Sequence, residues 1–207
     1  MAGTVGYNAT TRTASFSPTA VLAAGTSYLA RVKGGASGVK DLAGNALAAD
    51  LTWTFTVASS GPTTAYLSDL AYSVTANGWG PVEKDRSNGE QAAGDGLPLT
   101  LQGVVYGKGL GTHAASDIRY TMTSCTTFSA KVGVDDEVGA LGSVVFQVWA
   151  DGIKVYDSGI LTGASASPTV SVDVTGKTAL QLVVTNGGDN VNYDHGDWAD
   201  ATLTCGT

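Results

Sequence analysis

At 207 residues the chain can hold one or two domains and bury at least one full core. Lys and Arg total 11 against 18 Asp and Glu, giving a formal net charge of -7 and a pI near 4.5. This balance excludes nucleic acid and anionic membrane as partners, because phosphate contacts need basic side chains. Gly is abundant at 28 residues, about twice ordinary usage, so many turns are expected. No apolar run nears the roughly 20 residues of a membrane span, and no charged-then-apolar leader follows Met1, so a secreted natural form would have its leader missing here.

Period-2 alternation, rather than helical periodicity, predicts strands over Thr4–Tyr7, Thr13–Phe16, Tyr28–Val32 and Thr52–Val57. Over residues 51–57, Leu51, Trp53, Phe55 and Val57 face one way and three threonines the other, the pattern of a half-buried antiparallel strand. Four strands make one sheet, whose apolar face (Phe16, Tyr28, Trp53, Phe55) needs a second layer. Residues 59–64, Ser59-Ser60-Gly61-Pro62-Thr63-Thr64, contain nothing able to pack a core and read as a linker between segments 1–58 and 65–207.

In the first segment, Tyr7-Asn8 with Phe16-Ser17-Pro18, Leu22 to Tyr28, and the D-x-x-G-N signature of Asp41, Gly44 and Asn45 with Trp53 and Phe55 resemble a bacterial Ig-like family of secreted and surface proteins. The match resembles only the second half of such a domain. It implies that the natural chain continues upstream, and that residues 1–58 alone show no cooperative unfolding.

The second segment carries further alternating runs at Ile118–Met122, Phe128–Val134, Val144–Trp149, Ile153–Tyr156, Val170–Val174 and Leu180–Val184. Asp151-Gly152 between two of them is a preferred hairpin turn. Roughly 140 residues suit one β-sandwich, so the chain is expected to be all-β, an antiparallel sandwich preceded by a partial Ig-like β domain. Trp149, in an alternating strand, is the tryptophan expected in the core. Cys125 and Cys205 lack metal-site spacing and are either a disulfide or two buried thiols. A bridge would close a loop of roughly 80 residues, stabilising by about 4 to 5 kcal/mol, and would place the protein outside the cytoplasm.

Three loops concentrate polar chemistry. Asp135-Asp136-Glu137 ends one strand, and three adjacent carboxylates repel unless solvent, a cation or donors intervene. The Gly-rich run from Gly107 to Ala114 holds His113 but lacks the spacing of a phosphate loop. Residues 192–200 combine Asp194, Asp197 and Asp200 with His195, Trp198 and Tyr193. Carboxylates suit hard cations or sugar hydroxyls, and a flat indole suits the apolar face of a sugar ring. The EF-hand pattern fails: counted from Asn190, the glycine comes one place late and position twelve is Ala201. Calcium held by several loops is the remaining metal reading, with Asp85, Asn88, Asp197 and Asp200 as candidate ligands. A glycosidase pair could be drawn from the acidic loops, but a small sandwich leaves little wall for a deep cleft, and no nucleophile elbow or zinc-protease motif is present.

Read together, Tyr66–Leu70, Asn77–Asp85, Lys108–Ala114, Val132–Glu137, Asp151-Gly152 and Asp194–Ala201 resemble, in order and over the whole second segment, the NPCBM family of carbohydrate-binding modules. The resemblance implies a non-catalytic jelly-roll sandwich of the galactose-binding type. Such modules are appended to secreted glycoside hydrolases, bind a glycan with a terminal galactose-type sugar, carry a structural calcium and, in some members, have a cysteine pair like Cys125 and Cys205. It makes Trp79, His113, Asp135, Asp136, Glu137, Asp194, His195 and Trp198 the candidate sugar contacts. A catalytic domain or further Ig-like repeats would lie upstream. The competing expectation is a structural or adhesive calcium-stabilised sandwich of a surface protein.

Overall fold

The computed structural model describes every residue except 60, 90 and 207. Ser60 of the expected linker and Thr207 at the chain end therefore lie outside the described residues. The chain forms two compact units, Met1–Gly61 and Pro62–Thr207. No α-helix occurs among the described residues.

The first unit contains β1 (Gly3–Asn8), β2 (Thr13–Pro18), β3 (Ser27–Val32) and β4 (Leu51–Thr56). These form two separate two-stranded ladders, β1 with β2 and β3 with β4, rather than the single sheet expected. The Asn8 side chain accepts from the amides of Thr10 and Thr11 and folds β2 back onto β1, while β4 returns to β3, so each strand pairs within its own hairpin. Both faces of β4 are exposed, with Trp53 at 50%, so the half-buried strand expected there is not formed. Tyr28 stacks on Phe55 at 5.9 Å between ring centroids. The D-x-x-G-N signature is a turn lock: Asp41 accepts from the amides of Ala43 and Asn45 and from the Asn45 side chain, and Gly44 takes φ +88°.

The second unit contains β5 (Thr63–Tyr66), β6 (Ser73–Ala76), β7 (Glu83–Lys84), β8 (Leu99–Leu101), β9 (Val104–Tyr106), β10 (Gly109–His113), β11 (Ser116–Thr121) and β12 (Cys125–Val134). After these come β13 (Ser143–Ala150), β14 (Ile153–Thr162), β15 (Thr169–Asp173), β16 (Ala179–Thr185) and β17 (His195–Cys205). Thr63 and Thr64, which read as linker, belong to β5 and pair with Cys205 and Thr204. One antiparallel sheet runs β15-β12-β17-β10-β7, with β5 also on β17; the other runs β14-β13-β16-β11-β6. The first half of β17 pairs with β10 and its second half with β5.

The core lies between the two sheets. On β13, Val144, Phe146, Val148 and Ala150 are buried, which fixes the inward register and turns Trp149 outward. Trp149 is thus not the core tryptophan: its Nε1 donates to Gln147 Oε1 at 3.1 Å and Lys154 lies 5.9 Å over its ring. Trp198 takes that role at 0% exposure, edge-on to Phe146 at 4.9 Å and to Phe128 at 6.1 Å. Asp151 and Gly152 both take positive φ, the hairpin turn expected between β13 and β14. Cys125 and Cys205 sit opposite each other on β12 and β17 and are disulfide-bonded.

Candidate functional site

The edge of the β10–β17 pair carries the site. His113 ends β10, His195 begins β17, and the two are direct cross-strand partners with ring centroids 5.2 Å apart in an edge-to-face arrangement. Each ring has one nitrogen committed. His113 Nδ1 donates to the Ala114 carbonyl at 2.8 Å, and His195 Nδ1 lies 2.6 Å from Glu137 Oε1. The other Glu137 oxygen accepts from Ser87 Oγ at 3.1 Å, and that hydroxyl accepts from the Leu97 amide. With Nδ1 committed, Nε2 of each ring is left for a ligand, as an acceptor where the ring is neutral and as a donor where it is protonated. Burial is the main cause holding the His113 imidazole below its ordinary range; the Ala114 carbonyl opposes it and His195 adds to it.

Trp79 stands beside this pair on the loop between β6 and β7. Asn77 and Asn88 clamp the loop by donating their side-chain amides to the Trp79 carbonyl, and Asn77 Oδ1 accepts from the His113 amide. Gly78 permits the contact, since a Cβ there would overlap the Ala114 carbonyl. Gly111 does the same one face over, where a Cβ would overlap the segment from Arg86 to Asn88. The result is an open groove of about 790 Å³ lined by Trp79, His113, Glu137, His195, Asp95 and Tyr193, with Asn88, Leu97 and Asn192 among the remaining lining residues. Trp79 is 44% exposed and His113 is 7% exposed. An exposed indole beside paired acceptors suits a polyhydroxylated ring with one apolar face.

The expected sugar contacts divide. Trp79, His113, Glu137 and His195 line the groove together. Trp198 does not, because the alternation of β17 points it into the core. Asp194 is also withdrawn: its side chain is buried, one oxygen accepts from the Ser143 amide at 2.8 Å, and burial pushes its carboxyl above the usual range. Asp135 is buried and braces the turn, accepting from the amides of Thr100 and Glu137. Asp136 holds the β8–β9 hairpin through the amides of Gln102 and Gly103. The run of three acids thus places one residue, Glu137, in the groove, because successive side chains at a strand end diverge. Asp95, Leu97 and Tyr193 were missed as lining residues; Tyr193 already stood inside the dense 192–200 packet, whereas nothing local marks Asp95 or Leu97.

The four expected calcium ligands also separate. Asp85 holds Lys108 Nζ at 2.9 Å and the Gly109 amide at 3.1 Å, and the same ammonium reaches Asp69 at 2.5 Å. Asp200 is exposed, and its amide donates to the Lys108 carbonyl at 2.8 Å. The Lys108 ammonium already balances Asp85, so Asp85 does not fit a calcium site, and no other acidic, His or Cys cluster gathers at the exposed Asp200 among the described residues. Asn88 and Asp197 flank Gly111 from two sides. Both are buried, and Asn88 Oδ1 and both Asp197 oxygens lack donors. Burial first, then Asp135, Glu137 and Asp136, push the Asp197 carboxyl well up. These oxygens fit a hard cation, although no three His, Cys, Asp or Glu side chains converge as a metal set among the described residues.

The NPCBM/NEW2 domain matches residues 63–204, and a bacterial Ig-like domain matches residues 1–57. A "Putative endo-alpha-N-acetylgalactosaminidase" of Renibacterium salmoninarum is 41% identical over 180 residues, 86% of this chain and 12% of that protein. Alpha-1,3-galactosidase B of Akkermansia muciniphila is 30% identical over 106 residues, 49% of this chain and 13% of that protein. The chain thus spans only a small part of these relatives. Among solved structures, the CBM51 of Clostridium perfringens GH95 in complex with methyl-galactose is 41% identical, covering 69% of this chain and 100% of that one with a TM-score of 0.62. CBM51-2 with the INT domains of Clostridium perfringens ZmpB, in complex with GlcNAc, is 27% identical, covering 86% of this chain and 37% of that one with a TM-score of 0.63. With a groove built from the ends of its strands and a family match across the whole second unit, the chain belongs to the NPCBM/NEW2 family of carbohydrate-binding modules.

Proposed function

We propose that the second unit binds a terminal galactose-type sugar in the groove between Trp79 and the His113–His195 pair, without catalysing its hydrolysis. The carrying observation is that pair: two imidazoles on adjoining strands, each with Nδ1 committed, beside an exposed indole. Galactose has an axial hydroxyl that leaves one ring face apolar. Trp79 covers that face, while the two Nε2 atoms and the free lone pairs of Glu137 receive the hydroxyls. A charge-assisted hydrogen bond contributes about 1.5 to 3 kcal/mol, so a few of them, offset by ordering costs, give dissociation constants of about micromolar to millimolar. The methyl-galactose complex of the 41%-identical CBM51 supports this sugar class.

Weak single-site binding suits a module that raises the effective concentration of a linked enzyme on its glycan. We place the protein outside the cell, joined to a glycoside hydrolase domain, a reading supported by its similarity to parts of two much longer galactoside-directed proteins. The disulfide accords with an oxidising compartment. A structural calcium belongs at Asn88 and Asp197, where it would neutralise the buried carboxylate and tie the loop after β7 to β17. Chelator should lower the melting temperature, and Asp197→Asn should remove that sensitivity.

Isothermal titration with methyl galactoside, methyl glucoside and GlcNAc decides the sugar class. Saturable binding of the galactoside, absent for the glucoside, is the expected result. No binding of any of the three would favour a purely structural or adhesive sandwich, and preference for GlcNAc would reassign the groove.

A further inference from the structure

The fixed charges on the side chains that line the groove are of one sign. Two carboxylates, Asp95 and Glu137, line it, and among the described residues no Lys or Arg side chain does. Asp95 is exposed, with one oxygen accepting from the Ala92 amide at 3.0 Å and no ion-pair partner among the described residues. Arg86 is the cation at the groove edge, exposed and donating to the Gly96 carbonyl at 3.0 Å, but its side chain is not among those lining the groove. Elsewhere on the unit, Lys108 is paired with Asp69 and Asp85, and Arg119 with Asp117. The net charge of -7 adds to the same field. At physiological salt the screening length is about 8 Å, so carboxylates in the lining still act on a ligand inside the groove.

From this we infer that the groove selects uncharged glycan ends and rejects galactose-type ends carrying sulfate or carboxylate, with Asp95 as the selecting residue. This rests on the galactose reading above. Specificity of this kind comes from repulsion of the wrong ligand and needs no added contact to the right one. It also places the module in a reaction order. Where a glycan end is capped by an acidic sugar or a sulfate ester, a hydrolase that removes the cap must act before this module can bind.

The test is a titration of the full chain with three ligands: methyl galactoside, its 6-O-sulfate and its 6-O-methyl ether. The ether is the neutral control for bulk. The sulfate should bind about tenfold or more weaker than the ether, a gap that shrinks as salt is raised. Asp95→Asn keeps the acceptor for the Ala92 amide and so should fold normally, and it should narrow the gap by about threefold. Equal rejection of ether and sulfate would make the exclusion steric and overturn the inference. So would equal binding of both, or a gap unchanged in Asp95→Asn. Failure of plain methyl galactoside to bind would instead overturn the galactose reading, and this inference with it.

Discussion

His113 and His195 are 82 positions apart in sequence yet meet across one rung of the β10–β17 ladder, their ring centroids 5.2 Å apart and their Nδ1 atoms committed to the Ala114 carbonyl and to Glu137 respectively. Cross-strand pairing sets this spacing, so it is as rigid as the sheet itself.

Truncating either imidazole should therefore remove sugar binding without unfolding the module. For His113→Ala and His195→Ala, titration with methyl galactoside should show a loss of about tenfold or more, since each removes one oriented acceptor. Circular dichroism should remain that of the wild type. Undiminished affinity in both variants would remove the histidines from the site.

The two tryptophans of the site motifs should behave oppositely. Trp198→Ala leaves a large void between Phe128 and Phe146 and should cost about 3 to 5 kcal/mol in denaturant unfolding. Trp79→Ala, at an exposed loop position, should leave stability within about 1 kcal/mol and abolish binding.

Acid should weaken the fold through His113. Because burial holds its imidazole below the ordinary range in the native state, the unfolded chain takes up the proton first, at about pH 6.5. The stabilisation is complete above that value and declines as pH falls through it toward the lower native value. Melting temperature followed from about pH 7.5 to about pH 5 should fall, and His113→Gln should flatten part of that slope. A wild-type slope identical to that of the variant would contradict this assignment.

Asp194 should matter for stability, and affect sugar only indirectly. Asp194→Ala strands the Ser143 amide in a buried site and should cost about 1 to 3 kcal/mol, while Asp194→Asn, which keeps an acceptor, should cost less. The check is urea unfolding of both variants beside galactoside titration of the Asn form, which should bind like the wild type.

Breaking the disulfide should destabilise the second unit. The bridge spans 80 residues of sequence, and its closure entropy corresponds to about 4 to 5 kcal/mol. Cys205→Ser should lower the melting temperature by about 10 °C. A drop of only one or two degrees would mean that β5 and β12 hold β17 without the covalent link.

Much of the fold could be read from the chain directly, because side-chain alternation is a local property. The runs at Phe128–Val134, Val144–Trp149 and Leu180–Val184 are strands β12, β13 and β16, and Asp151-Gly152 is their kind of turn. The family, too, was legible in motifs such as Lys108–Ala114 and Asp194–Ala201, whose glycines and acids serve close approach and turn bracing. Which way each residue faces was decided only by the packing of two sheets. Trp149 and Trp198 both sit in strands, and the register against the opposite sheet turned one to solvent and buried the other. Likewise the three acids 135–137 look equivalent in sequence, yet hydrogen-bond demands from distant amides took Asp135 and Asp136 for structure and left Glu137 to the groove. Asp95 and Leu97 joined the site through a loop folded over β10, a long-range contact with no local signature. Composition and alternation act residue by residue along the chain, whereas a binding groove is made from residues that only the closed sandwich brings side by side.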